Sequence, residues 1–226
     1  MPGHFRRIAP SLRDRIIKWF GDSSWKSFDD FAESGLLVAT NIPGNTFEGR
    51  HRVLNRPFET VEEMNHTILQ RMNACVKPND TLYFFGDFCI GPKARAAEIR
   101  KQIRCKKIFA VAGNHDKDTR KLIQEFSWLS DLAEVSLNGQ RIVLCHYAMR
   151  VWNQSSRGAW HLYGHSHRRL PDVSNSFSMD VGVDTHDFRP WHFDEINRRM
   201  ALKTEAAREK RQDDSSGERH DDPPRL

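Results

Sequence analysis

Short, nearly uninterrupted apolar runs are the clearest feature of the hydrophobic pattern along this chain. They occupy residues 36–39, 81–85 and 107–112, and each is bounded by glycine, proline, asparagine or charged residues. Runs of this length without polar alternation are typical of strands buried on both faces. The pattern therefore predicts at least three central strands.

Segments with helical spacing of apolar residues lie between these runs. Thr60-Val-Glu-Glu63 matches a capping box and starts a pattern that predicts a helix over about 61–75. Further helices are predicted near 93–104 and 119–126. Strands that alternate with helices indicate an α/β sandwich, in which the loops at strand ends carry function.

A hairpin and one more strand complete the predicted elements. Asn138-Gly139 separates two apolar runs at 133–137 and 141–145, which is a strong hairpin signal. A further apolar run at 160–163 follows. We therefore expect antiparallel as well as parallel pairing.

The length of 226 residues fits a single domain with accessory ends. Residues 1–34 are predicted to be an N-terminal extension, mainly helical; whether it packs on the domain or serves a membrane surface or partner stays open. Residues 35–200 are predicted to form the domain. Residues 201–226 hold few large apolar side chains and are predicted to be a polar, disordered tail.

Composition restricts the class of protein. No apolar run is long enough to cross a membrane, and the first 20 residues lack the apolar stretch and cleavage site of a secretory signal, so a cytoplasmic protein is expected. The four cysteines form no CxxC pair, which argues against a thiolate zinc site or a disulfide framework. The net charge of +5 is compatible with a phosphorylated substrate but does not indicate nucleic acid.

Four polar signatures follow the predicted strands. They are Gly86-Asp87, Gly113-Asn-His-Asp116, His146 and Gly164-His-Ser-His167. Each signature alone has a purely structural interpretation, such as a turn or a hydrogen-bonded histidine. Their joint placement at strand ends favours a metal site. Glycine before a ligand lets the backbone approach an ion closely.

The ligand types restrict the metal. Carboxylate, amide and imidazole groups suit a borderline divalent cation: Mn²⁺ is the first candidate, with Fe²⁺, Zn²⁺ or Ni²⁺ as alternatives. Asp87 has two oxygens and is able to bridge two cations. His165 and His167 are two residues apart and are predicted to reach two different ions, so one or two ions are expected.

This ordered set of motifs resembles the calcineurin-like metallophosphoesterase family over residues 36–193. Asn55-Arg-Pro-Phe58 with Glu62-Glu-Met64, and Met179-Asp-Val-Gly-Val-Asp184, are similar to small bacterial and phage members. The resemblance implies a four-layer α/β/β/α sandwich with mixed sheets. It also implies hydrolysis of phosphoric esters at a metal centre.

The resemblance assigns a role to each motif residue. Asp87 would be the bridging carboxylate, and Asn114, His146 and His165 would complete one metal site, while His167 would serve the other. His115 would stand over the leaving-group oxygen as an acid or charge stabiliser. Asp116 would orient its ring.

One motif departs from the family pattern. The family opens with Asp-x-His, but here Asn45 stands at the aspartate position and Phe47 at the histidine position; a register on Asn41 and Pro43 fits no better. Asn45 offers only a neutral oxygen, so one metal position is weakened. Arg50, in place of a further histidine, is a candidate for phosphate binding, and Glu48 and His51 are candidates for a compensating ligand.

Two functions remain open from the sequence. The first is metal-dependent hydrolysis of a phosphomonoester or phosphodiester, with a phosphorylated small molecule or nucleotide as substrate. The alternative is a degenerate, weak or inactive relative that binds a metal, a phosphorylated ligand or a protein. Trp152 and Trp160 are candidates either for the cleft wall or for the core. The sequence fixes neither the substrate nor the oligomeric state.

Overall fold

A computed structural model of the protein describes residues 27–28, 35–38, 42–43, 56–90, 92–116 and 126–217. The predicted helix near 119–126 and most of the predicted extension 1–34 lie outside these residues. Asn45 and Arg50 also lie outside them.

The described residues contain twelve strands and three α-helices. The strands are β1 (Ser27–Phe28), β2 (Gly35–Val38), β3 (Ile42–Pro43), β4 (Thr81–Phe84), β5 (Cys89–Ile90), β6 (Lys107–Val111), β7 (Trp128–Ser130), β8 (Leu132–Leu137), β9 (Gln140–Cys145), β10 (Trp160–Tyr163), β11 (Ser178–Asp180) and β12 (Trp191–His192). The helices are α1 (Val61–Cys75), α2 (Lys93–Gln102) and α3 (Phe193–Gly217).

The strands form two five-stranded mixed sheets. One has the order β12-β2-β4-β6-β7 and the other the order β1-β8-β9-β10-β11, while β3 and β5 form a small separate pair. All pairs in the two large sheets are parallel except β12 with β2 and β8 with β9. The predicted fold class, an α/β/β/α sandwich with mixed sheets, is confirmed.

Strand β4 shows why the apolar runs are continuous. Leu82 and Phe84 pack with the buried face of α1, which includes Met64, Ile68 and Met72. Tyr83 and Phe85 point the other way and join the core between the two large sheets. Both faces of the strand are therefore buried, as the run of apolar residues predicts. The helix begins as predicted, since Oγ1 of Thr60 accepts the N–H of Glu63 at 3.1 Å.

The ends of the chain differ from the sequence prediction. Residues 27–28 form a strand parallel to β8, so this part of the predicted helical extension belongs to a sheet. Helix α3 continues to Gly217, whereas the sequence pattern predicts a disordered tail from residue 201. The segment is rich in alanine, lysine, glutamate and arginine, which favour helix even where few apolar residues are present.

Lys203 ties helix α3 to the rest of the domain. Its side chain is buried, and its ammonium group donates to the Asp172 carboxylate and, at 2.6 Å, to the carbonyl of Ser178 at the start of β11. Phe193, Ile196 and Met200 of the same helix belong to the core between the sheets. The first half of α3 is thus part of the folded domain.

His161 in β10 is a fully buried histidine outside the polar signatures. Its Nδ1 lies 3.1 Å from the carbonyl oxygen of Val143, and its Nε2 accepts the N–H of Met149 at 3.0 Å. Burial lowers its pKa to about 4, although backbone hydrogen bonds to its ring oppose this shift. The fold therefore holds a neutral imidazole at neutral pH.

We expect His161 to make the fold sensitive to acid. The unfolded chain takes up this proton near the ordinary pKa of about 6.5, whereas the folded chain resists until about pH 4. Stability should therefore fall as the pH drops from about 6.5 to about 4, by about 3 kcal/mol from this group. Urea unfolding of chelator-treated protein across this range measures the slope.

The control is a variant that lacks the buried imidazole. His161→Asn should be less stable at neutral pH, but its stability should fall less steeply as the pH drops. His66→Asn, at an exposed position on α1, should keep the slope of the natural chain. Equal slopes in all three proteins would contradict the assignment.

Candidate metal centre

Residues from both large sheets meet at one edge of the sandwich. Asp87 follows β4, Asn114 follows β6, His146 follows β9, and His165 and His167 follow β10. The carboxyl ends of these strands lie together because β4 pairs with β6 and β9 pairs with β10 in parallel. These candidate ligands thus lie in loops at strand ends, as the sequence predicts.

Asp87, His146 and His165 form a compact cluster whose ligand atoms all lie within 4.8 Å of one another. His146 stands at its centre. Its Nε2 is 3.1 Å from Nδ1 of His165, 3.5 Å from Oδ2 of Asp87 and 3.1 Å from Oδ1 of Asn114. The four predicted ligands of the first metal site therefore converge.

The geometry around His146 suits a bound cation. Nδ1 of His146 lies 2.7 Å from the carbonyl oxygen of Phe85, so this nitrogen carries a hydrogen and donates it. When the ring is neutral, Nε2 has the lone pair, and it faces oxygen atoms of Asp87 and Asn114 and Nδ1 of His165. A carboxylate, an amide oxygen and two ring nitrogens that meet in one small region are the type of ligand set that a borderline divalent cation prefers.

Glycine at positions 86 and 113 permits this convergence. A Cβ atom on Gly86, whose φ is +88°, would stand 2.5 Å from Nδ1 of His146 and 2.6 Å from the Gly113 nitrogen. A Cβ atom on Gly113 would collide with the Asp87 carboxylate. The close approach expected from the sequence is present at both positions.

The charges of the cluster are coupled. Burial opposes ionisation of Asp87, but the hydrogen bond and charge of His146 outweigh it and lower the pKa of this carboxyl. Burial also opposes protonation of His146, yet Asp87 raises the pKa of its imidazole. Burial and then the charge of His146 lower the pKa of His165. A negative carboxylate is thus held at the centre of the site.

The Asp116 carboxylate accepts hydrogen bonds from three backbone N–H groups. Oδ2 accepts the N–H groups of Asp87 at 2.6 Å and Gly113 at 2.8 Å, and Oδ1 accepts that of Phe88 at 2.8 Å. One buried carboxylate thereby joins the loop after β4 to the loop after β6. Burial and the charge of Asp87 raise its pKa. The expected role of Asp116 in orienting the His115 ring stays a prediction.

His115 lies beside the cluster through its main chain. Its N–H donates to Oδ1 of Asp87 at 2.8 Å, and the residue is partly exposed. The second oxygen of Asp87 faces His146, so Asp87 connects the cluster to the predicted catalytic histidine. This placement is compatible with the predicted role of His115.

His167 lies apart from the compact cluster and has its own carboxylate. Its Nδ1 is 2.9 Å from Oδ2 of Asp184. Arg56 binds the same carboxylate through Nε at 2.6 Å and Nη2 at 2.7 Å. Burial would raise the pKa of Asp184, but the hydrogen bonds from His167 and Arg56 lower it strongly.

Asp180 holds the backbone of the loop that carries the two histidines. Its carboxylate accepts hydrogen bonds from the Ser166 hydroxyl, from the Arg168 N–H at 3.2 Å and from the Gly182 N–H at 2.8 Å. The loop needs this support because His165, His167 and Arg168 have positive φ values of 59°, 49° and 65°. Such conformations cost about 1–3 kcal/mol each in residues other than glycine.

Sequence reasoning assigned no role to Arg56, Asp180 or Asp184. The available signal was the likeness of Asn55-Arg-Pro-Phe58 and Met179-Asp-Val-Gly-Val-Asp184 to small family members, which contain these three residues. Tyr147 was also missed. It is 46% exposed, and its ring contacts those of His146 and His165 at centroid distances of 4.9 and 4.7 Å, so it forms one wall of the site.

The two tryptophans considered for the cleft are core residues. Trp152 packs with Val143 and Ala159, and its indole N–H donates to the Ala159 carbonyl at 2.8 Å. Trp160 belongs to the core between the sheets. All four cysteines are free thiols. A search of the described residues found no helix long and apolar enough to span a membrane.

Of the region around the substituted Asp-x-His motif, the structure describes only strand β3. The backbone of β3, Ile42–Pro43, pairs in parallel with β5, which begins two residues after Asp87. The chain just before Asn45 therefore runs beside the loop of Asp87. Asn45 and Arg50 themselves lie outside the described residues.

The fold and the cluster define an α/β sandwich protein with a candidate centre for a divalent cation. A family model described as the calcineurin-like phosphoesterase superfamily domain matches residues 63–182, which is more than half of the chain. The chain belongs to this superfamily. Membership implies dependence on divalent metal and hydrolysis of phosphoric esters in general terms.

Individual relatives are distant. The uncharacterized protein MJ1445 of Methanocaldococcus jannaschii is 29% identical over 148 residues, which cover 63% of this chain and 78% of that protein. The crystal structure of a protein of unknown function, AQ665 from Aquifex aeolicus, gives a TM-score of 0.55 at 21% identity and covers 73% of this chain and 98% of that chain. This likeness shows the fold alone.

Yfce, described as a phosphoesterase from E. coli, is also similar in structure. It is 20% identical, with a TM-score of 0.34, over 60% of this chain and 70% of that chain. At this distance the similarity carries no weight for substrate or mechanism.

Proposed function

We propose that the protein hydrolyses a phosphomonoester or phosphodiester with the help of a divalent cation. The observation that carries the proposal is the convergence of acceptor atoms from Asp87, Asn114, His146 and His165 at one edge of the sandwich. Mn²⁺ is the first candidate, with Fe²⁺, Zn²⁺ and Ni²⁺ as alternatives. Such a cation supplies Lewis acidity toward a phosphoryl oxygen and activates water as a nucleophile.

The residues around the cluster have separate proposed tasks. Asp87 and His146 form the buried base of the site, while Asn114 and His165 are exposed and close it toward solvent. The main-chain N–H of His115 donates to Asp87, and its ring is proposed to donate a proton to the leaving-group oxygen or to stabilise the negative charge there. Tyr147 is proposed to contact the organic part of the ester.

Further predictions from the sequence belong to the same proposal. Asn45 is proposed as a neutral ligand and Arg50 as a phosphate-binding residue, and His167 is proposed to serve a second cation. The substrate is proposed to be a phosphorylated small molecule or nucleotide in the cytoplasm. The absence of Asp-x-His favours the alternative, a relative that binds cations or phosphorylated ligands without turnover.

An assay on the full chain separates these two functions. Protein stripped with a chelator is compared with the same protein after addition of Mn²⁺, using p-nitrophenyl phosphate and bis-p-nitrophenyl phosphate. We expect hydrolysis of one ester to appear with Mn²⁺ and to disappear with chelator, and the preferred ester identifies a monoesterase or a diesterase. Cation binding without turnover of either ester would favour the alternative.

A further inference from the structure

Three side chains form a chain of hydrogen bonds from Arg56, just before helix α1, to His167 in the loop after β10. Arg56 binds Asp184 through two hydrogen bonds, and Asp184 binds Nδ1 of His167. The exposed fractions of the Arg56, Asp184 and His167 side chains are 1%, 10% and 15%. The contacts join residues that are 128 positions apart in sequence. This group is called the Arg56–Asp184–His167 chain below.

The Asp184 carboxylate selects one form of the His167 ring. An ionised carboxylate only accepts hydrogen bonds, so Nδ1 of His167 must carry the hydrogen. In the neutral ring, the lone pair is then on Nε2. His146 has the same arrangement, with the Phe85 carbonyl as the acceptor for Nδ1 and Nε2 directed at the cluster.

Arg56 fixes the direction of the carboxylate. Two parallel N–H donors hold both oxygens of Asp184, so the group is unable to rotate away from His167. A buried ion pair of this kind contributes little net stability compared with apolar side chains of the same volume. Its effect on the structure is therefore mainly geometric.

The backbone of His167 is fixed independently. Asp180 accepts hydrogen bonds from the two residues that flank His167, Ser166 and Arg168. One carboxylate thus holds the residues on either side of His167, and another holds its ring. His167 follows His165, a member of the compact cluster, by two residues in sequence.

We propose that Asp184, held by Arg56, is a positioning residue that keeps His167 in the Nδ1–H form with Nε2 available for a second cation next to the Asp87 cluster. This inference rests on the proposed function, because it adds a second position to the same centre. The substitutions in the first motif remove ligands from this second cation position. The Arg56–Asp184–His167 chain keeps one remaining ligand, His167, in place.

The first experiment needs no metal. The imidazole ¹⁵N shifts of the chelator-treated full chain, at a pH well above about 6.5, report which nitrogen of His167 carries the hydrogen. We expect the Nδ1–H form in the natural chain, and we expect it to be lost in Asp184→Asn, whose amide is able to turn its NH₂ group toward the ring. An Nε2–H form of His167 in the natural chain would overturn the proposal.

The second experiment measures cation binding. Calorimetric titration with Mn²⁺ should show a tighter and a weaker cation, and Asp184→Asn should weaken only the weaker one, by about 10–100-fold. The matched control is Asp187→Asn, which removes an exposed carboxylate that also pairs with an arginine, Arg71. An equal loss for both cations, or no loss for either, would overturn the proposal.

A conservative variant covers the case in which Asp184→Asn does not fold. Arg56→Lys keeps the charge but not the paired hydrogen bonds, so the Nδ1–H form should persist while affinity for the weaker cation falls. Unchanged affinity would argue against the proposal. Absence of hydrolysis together with the expected tautomer and titration would instead contradict only the proposed function.

Discussion

Replacement of His165 by alanine is expected to abolish hydrolysis and to weaken cation binding by more than about 10²-fold, since even groups behind metal ligands contribute about 10–100-fold. His165 supplies Nδ1 to the cluster at 3.1 Å from His146. The residue is exposed, so its loss leaves no buried cavity and the fold should remain intact. Asn114→Ala should behave in the same way, because it is the other exposed ligand. Mn²⁺ titration, the two ester assays and thermal unfolding measure these effects.

Exposed ligands give the clearest test of the centre. Asp87 and His146 are buried, and their replacement would mix a loss of metal with a loss of stability. His192→Ala, at an exposed histidine on β12, is the control and should leave binding and hydrolysis unchanged. If His165→Ala and Asn114→Ala both kept full activity, the assignment of the metal centre would be refuted.

Replacement of Asp116 by alanine is expected to destabilise the fold by about 3 kcal/mol or more. Three N–H groups, those of Asp87, Phe88 and Gly113, would lose their acceptor at once. Each buried donor left without a partner costs about 1–3 kcal/mol. Urea unfolding measures the loss. Glu98→Ala removes an exposed carboxylate on α2 and should change stability by about 0.5 kcal/mol or less.

The same variants separate two roles for Asp116. If the carboxylate mainly holds the two loops, Asp116→Ala should lose stability, whereas His115→Ala should lose turnover with little change in stability. If it mainly orients the His115 ring, the two variants should lose similar turnover and Asp116→Ala should remain stable. The second pattern would contradict the structural role argued from the backbone contacts.

The convergence of the candidate ligands was predictable from sequence because each follows a recognisable strand. Asp87, Asn114, His146 and His165 stand directly after apolar runs, and parallel pairing brings such positions to one edge of a sheet. Arg56 and Asp184 have no such local mark. Their ion pair spans 128 residues, and only the three-dimensional fold shows that the two side chains meet.

Helix α3 was missed for a different reason. The scarcity of large apolar residues after position 200 was interpreted as disorder, although helix propensity alone supports a surface helix continuous with a buried first part. The role of Asp116 was also unclear from sequence. Its motif suggested contact with the neighbouring histidine, while the structure places its carboxylate against backbone N–H groups from two loops.

The buried ammonium group of Lys203 has a practical consequence for anyone shortening this protein. A fragment that stopped at residue 200 would contain all the candidate ligands, yet it would lack the ammonium group that binds Asp172 and the start of β11. Strand β11 ends in Asp180, whose carboxylate supports the loop of His165 and His167. Expression fragments should therefore extend well past position 203, even though this part of the chain is remote from the ligands in sequence.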